Sequence, residues 1–178
     1  MKSTLSAPLS DLQLTTLPTD PLGLDPIPED PRQRFLRFSL LAEAQVFLSL
    51  KAIVEVRQLN TLDILPIPEI SNSLLGVCNW RGDLLWLADL NALISNRPLL
   101  QETTPHIKQP MVIVVQSNQK TMGLVVAQVD DIELIDPQDI QPQTDLGTSA
   151  LGPYGVGYLH HHQGTVLDAD VIIERLCH

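Results

Sequence analysis

The alternation of apolar and polar positions along the chain predicts many short strands and few helices. Residues 34–41 place Phe35, Phe38 and Leu40 among polar neighbours, with Arg37 opposite Phe38, and residues 45–50 follow as a second strand. Glu43-Ala44 turns the chain between them, without the Gly or Asn-Gly of a strong hairpin signal. Residues 52–59 are β-rich and alternate Glu55 and Arg57 with Val54 and Val56. Leu65-Pro66-Ile67-Pro68 reads as an extended connector, because each proline pushes its predecessor out of helical geometry.

The rest of the chain is organised around the stretch from Gly76 to Leu90. Residues 74–78 and 84–88 are apolar runs that read as paired strands, and Asn79, Trp80, Arg81 and Gly82 lie between them. Gly82 takes a positive φ at little cost, as a tight turn often demands. The turn presents Arg81 beside Trp80, with the planar guanidinium directed outward. Arg and Trp are types enriched at binding hot spots, so such a tip suits recognition of a partner better than bond-breaking chemistry. Asp89 is placed to cap a short helix over residues 90–94 by accepting a backbone N–H.

A polar loop over residues 96–109 leads to a second set of strands. Residues 111–115 are continuously apolar, the pattern of a strand buried on both faces. Residues 117–120 turn the chain and residues 121–126 return. Residues 129–135 alternate acidic and apolar positions, with a solvated face as the default for the acids, and residues 136–149 form a polar loop or a marginal turn of helix. Residues 156–160 and 165–167 read as a further hairpin turned at Gln163-Gly164. Asp168 or Asp170 then caps a closing helix through Val171, Ile172, Leu176 and Cys177. Two comparable strand groups suggest a mainly β fold of two small barrels side by side with a few short helices. No internal sequence repeat is evident.

Composition adjusts this picture in three respects. The first 31 residues hold six prolines and five acids and no aromatic residue, so residues 1–32 are expected to be an extended or disordered arm preceding a domain over residues 33–177. The chain of 178 residues is 44% hydrophobic but only 4% aromatic, which calls for an aliphatic core. The net charge of −10 lacks the basic field that nucleic acid or an anionic membrane surface requires. No signal peptide or run of membrane-helix length is visible, and the chain reads as cytoplasmic.

Candidate chemistry is sparse. No phosphate-cradling glycine loop or nucleophile elbow is present, and Cys78 and Cys177 have no metal or redox spacing. Cys78, inside an apolar run, reads as a small buried hydrophobe. His160, His161 and His162 are consecutive, so on a strand they point to opposite faces; they read as an exposed turn and no metal or cofactor is expected.

The assembled pattern resembles the CheW-like family, the coupling proteins of bacterial chemosensory arrays. Its most specific part is Leu75-Gly76-Val77-Cys78-Asn79-Trp80-Arg81-Gly82, followed by an apolar strand and Asp89-Leu90. Ile53-Val54-Glu55-Val56, the proline connector, Gly123-Leu124-Val125-Val126, Gly155-Val156-Gly157 and Val166-Leu167-Asp168 match more weakly. Trp86 stands where the family often has Pro, and Ala127 where it usually has Asp. The resemblance implies two five-stranded β-barrel lobes and a non-catalytic adaptor. Its partners would be the regulatory domain of a CheA-type histidine kinase and the cytoplasmic tip of a chemoreceptor. It carries over Ile53, Val54, Glu55, Gly76, Asn79, Arg81 and Gly82 as contact or contact-shaping residues. Each also has a plainer reading: backbone geometry for the glycines, core for Ile53, turn closure for Asn79, and for Arg81 an internal ion pair with Asp83 or Asp89. Divergence from the family pattern suggests type IV pilus motility as the output, and a passive decoy competing for kinase or receptor is the alternative role.

Overall fold

A computed structural model describes residues 30–40, 45–100, 109–142 and 150–177. Ten strands are seen among them: β1 (Gln33–Ser39), β2 (Gln45–Ser49), β3 (Ile53–Gln58), β4 (Leu74–Trp80), β5 (Asp83–Asp89), β6 (Met111–Ser117), β7 (Lys120–Val126), β8 (Gln128–Ile135), β9 (Gly155–Leu159) and β10 (Gly164–Leu167). Two helices follow β5 and β10, α1 (Leu90–Ser95) and α2 (Ala169–Leu176). The fold is mainly β, as the alternation requires. Residues 1–29 of the proposed arm, the turn at Glu43-Ala44, and residues 101–108 and 143–149 of the two polar loops lie outside the described residues.

The strands form two five-stranded sheets, in the orders β8-β1-β2-β10-β9 and β3-β6-β7-β5-β4. The lobes are therefore not the two successive strand groups of the sequence. The central lobe takes β3 to β7, and the split lobe combines β1 and β2 with β8, β9 and β10. The two sheets match strand for strand. Each contains an antiparallel hairpin, β6-β7 or β1-β2, and one parallel pair, β5-β7 or β10-β2. In each, the segment after one edge strand bridges the opposite edge strand, Leu65 to Val77 in the central lobe and Gln141 to Tyr158 in the split lobe. In each, an aspartate at the end of the last strand before the helix acts as its cap: Asp89 accepts from the Ala92 N–H, and Asp168 from those of Asp170 and Val171. The choice left open for the closing helix thus resolves to Asp168, with Asp170 inside the first turn. This internal correspondence left no readable repeat in the sequence, because it resides in strand pairing and glycine placement rather than in side-chain identity.

The lobes share one core. Leu36, Phe38, Val46 and Leu48 of the split lobe pack with Ile113, Val115, Leu124 and Val126 of the central lobe and with Ile172 and Ile173 of α2. The opposite faces line separate interiors: Val112, Val114, Val125, Leu85 and Leu87 in the central lobe, Phe35, Phe47, Leu159 and Val166 in the split lobe. Successive strand residues point to opposite faces, so β6 must be apolar at every position of its centre. Val112, Ile113, Val114 and Val115 are all fully buried. Each fully buried aliphatic side chain contributes roughly 1.5–3 kcal/mol relative to exposure, so this strand is a major anchor between the lobes.

The edge strands invert the expected arrangement. On β8, Ile132 and Leu134 are about half exposed, while Glu133 is turned inward onto Arg37, 2.6 Å from its Nη1. Asp130 accepts from the Ser39 hydroxyl at 3.1 Å. The default of a solvated acidic face fails here because β1 offers a cation and a hydroxyl on the inner side. On β3, Val54 and Val56 are likewise outside, and Glu55 and Arg57 are partly buried.

Candidate partner-binding site

The β4-β5 hairpin closes on Arg81-Gly82 alone. Trp80 pairs with Asp83, and the two turn residues have φ of 55° and 92°. A two-residue turn with positive φ at both positions matches the strand twist, and its first position strains any residue with a Cβ. The sequence foresaw the positive φ at Gly82 but not the one at Arg81. Asn79 closes the turn by accepting from the Gly82 N–H through Oδ1 at 3.4 Å.

Gly76 serves the base of the hairpin. It has φ 131°, and a Cβ there would lie 2.2 Å from the carbonyl oxygen of Leu65. The absence of a side chain lets the proline connector approach, so that Leu65 and Val77 exchange N–H···O bonds of 2.8 and 3.0 Å. Asp89, fully buried, accepts from Ala92 N–H at 2.9 Å and Leu99 N–H at 2.6 Å, fixing the far end of β5. Burial raises its carboxyl pKa above the ordinary value, opposed by the surrounding backbone N–H groups.

β3 and β4 are the two outer strands of the central sheet, yet side chains join them. Glu55 Oε2 accepts from the Trp80 indole N–H at 3.0 Å and from Arg81 Nη2 and Nε at 2.8 and 3.2 Å. The Arg81 guanidinium also lies 5.0 Å from the centre of the Trp80 ring. Two strands distant in sheet order therefore meet across a seam closed by Glu55, Trp80 and Arg81, with Arg57 Nη2 3.5 Å from Cys78 Sγ below them. The Glu55 carboxyl is held below its usual pKa, first by the Trp80 N–H, against a partial burial cost, then by Arg81 and Arg57.

This geometry corrects the internal ion-pair reading of Arg81. Its partner is Glu55, not Asp83 or Asp89. Asp83 is exposed on the returning strand, and Asp89 is occupied as a helix cap. The Arg81 side chain nevertheless remains 63% exposed, so the pair holds it at the surface. Val54 and Val56 are exposed on the outer face of β3, opposite the face that carries Glu55, whereas Ile53 packs against the shared core. Gly76, Asn79 and Gly82 shape the hairpin backbone. Glu55, Arg81 and the two valines supply exposed chemistry.

The sequence placed Trp80 beside Arg81 at the tip but did not include it among the contact residues carried over from the family. The available signal was its indole donor, which in a half-buried position requires an acceptor, with Glu55 on a neighbouring β-rich segment. Trp86 is 39% exposed on the outer face of the hairpin, near Leu84 at 71%. His160 meets Tyr158 edge-on, and His162 Nδ1 stands 2.8 Å from Glu133 Oε2. Among the described residues no three His, Cys, Asp or Glu side chains group as metal ligands. A shallow cleft of about 300 Å³ lies in the split lobe, lined by Phe35, Leu48, Lys51, Val166 and Asp168, with no part of the hairpin in it. No helix among the described residues is long and apolar enough to cross a membrane.

Comparison with known proteins places this geometry. The crystal structure of the scaffolding protein TtCheW from Thermoanaerobacter tengcongensis superposes with a TM-score of 0.63 at 22% identity, covering 76% of this chain and 87% of that one. The chemotaxis protein CheW of Rhizobium meliloti (strain 1021) is 31% identical over 94 residues, 53% of this chain and 57% of that protein. A probable chemotaxis protein CheW of Rhizobium etli is 31% identical over 93 residues, again 57% of its length. The matched segment thus spans little more than half of either relative. The family model for the CheW-like domain matches residues 34–177, which contain both helices, the hairpin and nearly all of both sheets. On that match the chain belongs to the CheW-like domain family.

Proposed function

We propose that this chain is a non-catalytic, cytoplasmic adaptor of a chemosensory pathway, coupling the cytoplasmic tip of a chemoreceptor to the regulatory domain of a CheA-type histidine kinase. The observation that carries this reading is the Glu55–Trp80–Arg81 cluster, which holds Arg81, 63% exposed, at the tip of the hairpin. A preorganised Arg beside a Trp is the composition of a binding hot spot. The family assignment and the names of the relatives support the chemotaxis setting. The mechanism is geometric: the adaptor holds receptor and kinase in a fixed relation, so a change in the receptor reaches the kinase without turnover by the adaptor. Type IV pilus motility is the narrower output, supported by divergence from the family pattern.

The test is titration calorimetry of the purified chain against the isolated regulatory domain of the kinase, with Arg81→Ala alongside. The variant is expected to keep the wild-type melting temperature within about 2 °C, because surface pairs contribute little to stability, and to bind at least about fivefold more weakly. Wild-type affinity in the variant would remove the hairpin from the interface. A wild-type chain that binds neither kinase nor receptor tip would overturn the adaptor reading.

A further inference from the structure

The Glu55–Arg81 pair is anchored asymmetrically. All three donors, Trp80 Nε1 and Arg81 Nε and Nη2, converge on one oxygen, Oε2, of Glu55. An exposed ion pair with two flexible side chains ordinarily samples many arrangements and contributes little directional information. Here Trp80 constrains both members. Its N–H fixes the Glu55 oxygen from β4, and its ring lies against the Arg81 guanidinium. Trp80 is itself fixed, because its backbone pairs with Asp83 immediately before a two-residue turn. An aliphatic side chain at this position would supply neither the donor nor the ring face.

We infer that Trp80 is a positioning residue of the partner interface, presetting Glu55 and Arg81 in the one arrangement that the partner accepts. This rests on the adaptor reading and adds to it a residue that reaches the partner through two others. The remaining polar groups of the pair, Glu55 Oε1 and Arg81 Nη1, then have fixed places at the tip of the hairpin. A partner that matches them meets a site whose side-chain ordering is already complete. One that does not must break the Trp80 contacts first.

Two substitutions separate the contributions. Trp80→Phe keeps a ring face and removes the N–H donor; Trp80→Leu removes both. The readouts are the Glu55 carboxyl pKa, followed by carbon-13 NMR, and the affinity for the kinase regulatory domain by calorimetry, with circular dichroism as the fold control. In Trp80→Phe the Glu55 pKa is expected to move up toward the ordinary value, and affinity to fall about two- to fivefold. In Trp80→Leu the pKa moves the same way and affinity falls further, since Arg81 also loses its ring contact. An unmoved Glu55 pKa in a folded Trp80→Phe variant would overturn the inference. So would a moved pKa with unchanged affinity while Arg81→Ala weakens binding, and that outcome would leave the adaptor reading intact. Failure of the wild-type chain to bind would overturn the adaptor reading and with it the place of Trp80 in an interface, whatever the titration shows.

Discussion

Replacing Asp89 by Asn tests how the β4-β5 hairpin is held at its base. Asp89 is fully buried; one oxygen accepts from the Ala92 N–H at 2.9 Å and the other from the Leu99 N–H at 2.6 Å, with the Asn91 and Leu100 N–H groups also directed at the carboxyl. An amide offers one oxygen, so the second N–H would face the amide NH2 and remain unpaired. A buried unsatisfied donor costs about 1–3 kcal/mol, and relief from burying a charge offsets part of it, which leaves a loss of about 1 kcal/mol. For a domain of this size that is about 2–4 °C in melting temperature. The pH dependence has a definite sign. Because burial raises the folded-state pKa of Asp89, the folded chain holds this proton more tightly than the unfolded one. Its favourable contribution is full below the unfolded pKa and declines as pH rises through the folded value. Melting curves of wild type and Asp89→Asn, followed by circular dichroism from about pH 3.5 to about pH 7, isolate this residue, since the other carboxylates cancel in the difference. The wild-type advantage should be largest in acid and level off at a smaller value near neutrality. A gap that widens with rising pH would show that the backbone N–H groups outweigh burial, and a variant that melts with the wild type would refute the accounting altogether.

The two glycines of the hairpin should respond unequally. Gly76→Ala drives a Cβ onto the Leu65 carbonyl and is expected to cost about 2–4 kcal/mol, whereas at Gly82, where a Cβ meets nothing within 4 Å, only the positive φ opposes substitution, at about 1–2 kcal/mol. Denaturant titration ranks them, and equal losses would contradict the close-approach argument. Gly157→Ala is the split-lobe counterpart, with a Cβ 2.5 Å from the Gln141 carbonyl, and hydrogen exchange should quicken at Gln141 and Tyr158 while Leu65 and Val77 stay protected. Glu55, with its pKa lowered in the folded chain, contributes stability above its unfolded pKa that is lost as pH falls through the folded value. Wild-type and Glu55→Gln stability profiles should therefore converge in acid, and parallel profiles would show that the carboxylate is not held by its donors.

Local order along the chain was set by the sequence itself. Apolar residues at every position of 111–115 required a strand covered on both faces, Asp89 before a short apolar pattern marked the start of α1, and the start of α2 was narrowed to Asp168 or Asp170. Gly82 announced a turn, and the motif from Leu75 to Gly82 was specific enough to suggest the family. What the sequence could not determine was which distant segments meet. Alternation reports that a strand has two faces but not what lies against each. The inward turn of Glu133 depended on Arg37, 96 residues away, and the pairing of Arg81 with Glu55 depended on side chains from the two edge strands of the central sheet coming within reach of each other. Nearby Asp83 and Asp89 were the obvious partners by sequence distance, and tertiary structure excluded both. The division into lobes was likewise decided in three dimensions, since β1 and β2 find β8 to β10 across the whole central lobe. Such contacts are fixed by the burial of a shared core, a property of the assembled sheets that no single segment carries.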